Sequence, residues 1–136
     1  MAGLLRPTRA WAADANRAAF DARDLSLALK SLDIGNGAQP VGDKDVLINA
    51  PDIAENAALV AVSIVSRLPN TRTIDVLVEK NPQPLSAHFE FAADVLPEVS
   101  LRLKMAQTSR VWAIVKSNGK YYSANREIKI TVGACG

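Results

Sequence analysis

Val111-Trp112-Ala113-Ile114-Val115-Lys116-Ser117-Asn118-Gly119-Lys120-Tyr121-Tyr122 is the stretch whose reading decides the fold. An apolar run leads into a polar tetrad, and Asn-Gly within it supplies both positive-φ positions that a two-residue hairpin turn demands. The chain is therefore expected to reverse here as two antiparallel strands. Downstream, Ile128, Ile130 and Val132 alternate with Lys129 and Thr131, the period of a strand with one buried face.

Upstream the same period recurs. Val99, Leu101, Leu103 and Met105 alternate with Ser100, Arg102 and Lys104; Ala87, Phe89 and Phe91 alternate with His88 and Glu90. Ile74, Val76 and Val78 alternate with Asp75 and Leu77 before Asn81-Pro82-Gln83-Pro84 interrupts. Leu59 to Val65 is nearly continuous in apolar residues, as expected of a central strand covered on both sides. Val46 to Ile48 begins the series. About seven strands separated by turn residues, with no helix between them, predict an all-β fold: an immunoglobulin-like antiparallel β-sandwich.

Before the strands lies one helical pattern. From Asp14 to Leu32, the residues Ala15, Ala18, Ala22, Leu25, Leu29 and Leu32 share a face at helical spacing. Asp14 is placed to cap the start, and Gly35-Asn36-Gly37 to end it. A second apolar ridge, Phe20, Leu27 and Ile34, is spaced by seven and lies roughly opposite the first. One face is expected to meet the protein's own sheet and the other to serve as a partner contact or to be wedged between layers.

At 136 residues, with 49% apolar and 22% charged side chains, the chain suits one folded domain rather than disorder. Its net charge of +2 is accounted for by Arg6 and Arg9, which leaves no footprint for nucleic acid. Nor does any stretch approach the ~18 apolar residues of a membrane span. Ala10-Trp11-Ala12 has the small-x-small form of a signal-peptidase site. Residues 1–12 are thus read as the remnant of an export signal or a disordered tail, 13–132 as helix plus sandwich, and 133–136 as an arm. The expected location is the periplasm.

Chemistry-bearing side chains are few. His88 is the only histidine and falls on the outward side of its strand, so it reads as a surface residue; no pattern fixes two carboxylates near each other. No zinc set, hydrolytic triad or thiol pair can be assembled, and no metal or cofactor is expected. What remains is Thr131-Val132-Gly133-Ala134-Cys135-Gly136, where alternation stops and the single cysteine follows residues with little side chain to anchor them. Gly133, Ala134 and Gly136 are read as a flexible arm around Cys135. At ~3.3 Å per residue, the steps from Val132 carry the thiol about 10 Å, far enough to enter a cleft in another protein. The α-carboxylate of Gly136 opposes ionisation of the thiol, so activation is expected from a partner enzyme.

A last strand running into a Gly-Gly-Cys-Gly-Gly arm marks the SoxY family, and this chain resembles that family over nearly its whole length. The resemblance is carried by the N-terminal helix after a signal-like segment, by Met105-Ala106-Gln107-Thr108-Ser109-Arg110, and by Ile128 to Gly136. Ala134 departs from it by standing at the second glycine position, and a last glycine is lacking. The resemblance implies a carrier rather than an enzyme, with thiosulfate attached to Cys135 as a cysteine S-thiosulfonate. It also implies a SoxZ-like partner subunit in a heterodimer. Transient docking would be to a heme-containing conjugating enzyme, a sulfate-releasing hydrolase and a sulfur dehydrogenase. Two other readings stand beside it: a β-sandwich whose Cys135 only tethers a disulfide-linked homodimer, and a thiol-dependent enzyme, which lacks a visible general base.

Overall fold

The expected hairpin is present in the computed structural model, which describes residues 16–131. β8 (Ser109–Ser117) and β9 (Lys120–Ile130) pair antiparallel from Ser117 opposite Lys120 out to Ser109 opposite Ile128. Asn118 (φ 50°) and Gly119 (φ 78°) take the two left-handed turn positions. A side-chain hydrogen bond of 2.7 Å from Asn70 to Asn118 ties the hairpin tip to a neighbouring loop.

Seven further strands precede the hairpin: β1 (Gln39–Pro40), β2 (Val46–Asn49), β3 (Ile53–Ala54), β4 (Val60–Ser66), β5 (Thr71–Val78), β6 (Leu85–Glu90) and β7 (Glu98–Leu103). The larger sheet has the order β1-β9-β8-β5-β6, with β3 also paired to β9; the smaller has the order β2-β4-β7. Both frameworks are antiparallel, as read from the sequence. The two-residue strands β1 and β3, not anticipated, add to β9 in parallel. Between the sheets lies the main core, which includes Val46, Val60 and Ile64 from one side and Ile74, Val76 and Val111 from the other. Full burial of each such side chain contributes roughly 1.5–3 kcal/mol.

Two strand expectations exchange places. Leu59 to Val65 was expected to be covered on both faces, but β4 alternates: Val60, Val62 and Ile64 are buried while Ala61 is exposed and Ser63 and Val65 are half-buried. β5, read as half-exposed, is buried from Ile74 through Val78, with Leu77 at 0% and Asp75 at 2% exposure. The cause lies outside both strands. Helices cover the outer face of the larger sheet, and nothing among the described residues covers that of the smaller.

Those helices also correct the reading of 14–32 as one element. A helical stretch, α1, covers 16–21 of the described residues, and the chain breaks at 22–24 before α2 (Leu25–Ser31). Asp24 causes the break: its carboxylate accepts from the Leu27 N–H at 2.8 Å, the action of an N-cap, and its backbone is extended. The buried positions are Ala19, Ala28 and Ile34, which form a second core with Leu77, Leu85 and Ile114. Termination comes earlier than Gly35, since Asp33 (φ 64°) already turns left-handed and Gly35 (φ 55°) repeats it. The amides of Ile34 and Gly35 both return to the Leu29 carbonyl. Asp14 and Ala15, the expected start of the helix, lie outside the described residues.

Candidate functional site

Cys135, with Gly133, Ala134 and Gly136, lies outside the described residues, as does Val132; the structure describes instead the base from which that segment departs. β9 loses its antiparallel partner after Ile128, because β8 begins at Ser109. The next three amides are held otherwise. Lys129 donates to the Asp52 carbonyl (2.9 Å) and Thr131 to that of Ala54 (3.1 Å), the parallel ladder with β3. On the opposite edge, Ile130 donates to Thr108 Oγ1 at 2.9 Å, a hydroxyl standing where a strand carbonyl would be. Arg126 then grips the chain leading into β3, with Nη2 on Asp52 Oδ1 (2.7 Å) and Nη1 on the Ile48 carbonyl (3.2 Å).

The segment Met105 to Arg110 serves this same end of the sandwich. The Met105 amide bonds to the Ala57 carbonyl and the Met105 side chain is buried. Asn81 joins the neighbouring loop through both ends of its amide, donating to the Lys104 carbonyl and accepting from the Ala106 N–H. Ser109 Oγ accepts from the Lys80 N–H at 3.0 Å. A stretch that reads only as a family mark in the sequence is physically a set of tethers around the exit of β9.

His88 corrects a second expectation. Its side chain is only 14% exposed, and it lies between two carboxylates: Nδ1 meets Asp75 Oδ1 in a short contact, and Nε2 lies 3.0 Å from Glu90 Oε2. Register explains the meeting, since Asp75 faces His88 across β5 and β6 and Glu90 is two residues along the same face. The hydrogen bond to Asp75 is the main force raising the imidazole from 6.5 to about 9; burial opposes it, and the charges of Asp75 and Glu90 add to it. Nearby, burial and the charges of Asp33 and Asp75 push the Tyr121 hydroxyl up. The missed signal was the run Ile74 to Val78, whose lone Asp75 in an otherwise apolar strand called for a buried cationic partner.

Of the ridge expected to meet a partner, Ile34 faces inward at 6% exposure and belongs to the helix–sheet core. Phe20 (37%) and Leu27 (50%) stay exposed. The end of α2 at Ser31 and the left-handed turn at Asp33 are the reason, because spacing by seven places residues on one line only along an unbroken helix, and Ile34 lies past its end. Among the described residues no group of three or more His, Cys, Asp or Glu is arranged to hold a metal, and no helix is long and apolar enough to cross a membrane.

These features define a class: a two-sheet, immunoglobulin-like β-sandwich with helices on one outer face and a cysteine in the segment after its last strand. The family model described as sulfur oxidation protein SoxY matches residues 32–135, a span that includes Cys135. Among solved structures, the sulfur carrier protein SoxY from Chlorobium limicola f. thiosulfatophilum is 35% identical with a TM-score of 0.71, over 82% of this chain and 95% of that one. The chain belongs to the SoxY family. Superoxide reductase (neelaredoxin) from Ignicoccus hospitalis shares the fold at 21% identity and a TM-score of 0.57, over 64% of this chain and 80% of its own. No curated protein matches the sequence significantly.

Proposed function

We propose that this protein carries sulfur intermediates bound covalently to Cys135 and serves partner enzymes without catalysing the reactions itself. One observation carries the reading: the family match runs through the chain's single cysteine, and the 35%-identical relative is described as a sulfur carrier protein. Loading joins the Cys135 thiol to the outer sulfur of thiosulfate, forming one S–S bond. The thiol proton is released, and two electrons pass to a heme-containing conjugating enzyme. Water then cleaves the terminal sulfonate as sulfate, leaving a persulfide on Cys135 for a sulfur dehydrogenase. Gly133, Ala134 and Gly136 offer no bulky side chain to hold the segment back, which suits delivery into a narrow channel.

The setting proposed is the periplasm, with residues 1–12 as the remnant of an export signal. A SoxZ-like subunit is the proposed stable partner, and Phe20 and Leu27 are its candidate contacts, being large apolar side chains left in solvent. The test is intact mass of the protein after incubation with thiosulfate and the conjugating enzyme, with Cys135→Ser as control. A thiosulfonate or persulfide on Cys135 is the expected product. Finding only a Cys135-to-Cys135 dimer would replace the carrier with a tether.

A further inference from the structure

We propose that β3 and the Thr108 hydroxyl form a strap that fixes the base of the cysteine-bearing segment, making Thr108 a positioning residue that sets how far Cys135 reaches; this rests on the carrier reading. Without the strap, β9 would lose its ladder at Ile128, the last residue opposite β8. With it, three successive amides are held on alternating sides: Lys129 and Thr131 by the Asp52 and Ala54 carbonyls, and Ile130 by Thr108. The strap is itself tied down, since Arg126 bonds Asp52 and the Ile48 carbonyl, while Ala54 is 7% exposed.

The hold on β9 extends through Thr131. Four steps of ~3.3 Å span at most about 13 Å from Thr131 to Cys135. Release back to Ile128 would lengthen the tether to seven steps, about 23 Å, and would dilute the thiol at any docked active centre. A two-residue ladder supported by one hydroxyl and one surface ion pair also belongs to the weakly held end of a fold, where local opening is easiest.

The test uses the full chain. In Thr108→Val, amide exchange at Ile130 should quicken about fivefold, the loss of one hydrogen bond, while Thr108→Ser restores protection. In Asp52→Asn, which loosens Arg126's hold on the strap, Lys129 and Thr131 should be the amides that quicken. A spin label on Cys135, paired with one at Lys120→Cys, should give a broader distance distribution in Thr108→Val. Loading of Cys135 by the conjugating enzyme should slow, while its reaction with a small disulfide reagent stays unchanged. Identical exchange and label distances in parent and Thr108→Val overturn the strap. A parent that takes up no sulfur adduct sinks the carrier reading instead, because exchange at Ile130 is measured without cargo.

Discussion

β4 and β5 each lie between two neighbours in a sheet, yet β4 shows one face to solvent and β5, from Ile74 through Val78, shows none. Their own sequences suggest the reverse, with β4 the more continuously apolar and β5 the one carrying an aspartate. The difference lies in what is stacked beyond each sheet. α1 and α2 close over Leu77 and Ile114, whereas the outer side of β4 offers Ala61 and Ser63 to water. Under the helices even Asp75 is enclosed, and the enclosure is tolerable because His88 shares its charge.

The largest test of that contrast is a pair of truncations. Leu77→Ala should cost about 3 kcal/mol, the loss of a fully buried side chain plus the cavity left behind. Val65→Ala, on the half-open side of β4, should cost about 1 kcal/mol or less, because solvent fills the gap. Urea denaturation of both variants decides it, and equal losses would mean that the helices do not seal the outer face of the larger sheet.

Next in size is the pH dependence of the His88 cluster. Folding raises the imidazole to about 9 from 6.5, so the folded state binds that proton more tightly than the unfolded chain. The resulting stability is complete below about pH 6.5 and is lost as pH climbs through about 9. Its size is on the order of 2 kcal/mol, reduced from the full linkage value because Glu90 stands in solvent. Denaturation midpoints of the parent should fall from pH 7 to pH 10 more steeply than those of His88→Gln. Parallel profiles would remove the cluster as their source.

Smallest is the cap that breaks the helix. Asp24→Ala should lower stability by about 1 kcal/mol. Because α2 carries Ala28 into the second core, the loss should appear as faster amide exchange in residues 25–28 before the sandwich is affected. Unchanged exchange there would show that packing alone holds the start of α2.

The strands were legible because period two and turn chemistry are local: Asn118-Gly119 announces its hairpin, and Val99 to Met105 its half-buried strand. What escaped was non-local. Whether β5 is covered twice depends on helices some fifty residues earlier, and the partnership of Asp75, His88 and Glu90 depends on the register between β5 and β6. The helix was legible in type but not in continuity, since Asp24 within an amphipathic pattern reads equally as a surface residue and as a cap. Of the candidate site, Cys135 stood out by composition alone. The grip of Thr108 on Ile130 did not, because nothing in a threonine announces a bond twenty-two residues away.

β1 and β3 have one more consequence, along the flank of β9. An eleven-residue strand at the margin of a sheet is an open template on which another copy could polymerise. Here Gln39-Pro40 occupies the stretch at Tyr122 and Ser123, and Ile53-Ala54 occupies the stretch at Lys129 and Ile130. Between them, Arg126 reaches from β9 to the Ile48 carbonyl. Both ends of the longest strand's margin are thereby occupied, which shortens the free template and opposes fibril-like stacking along it.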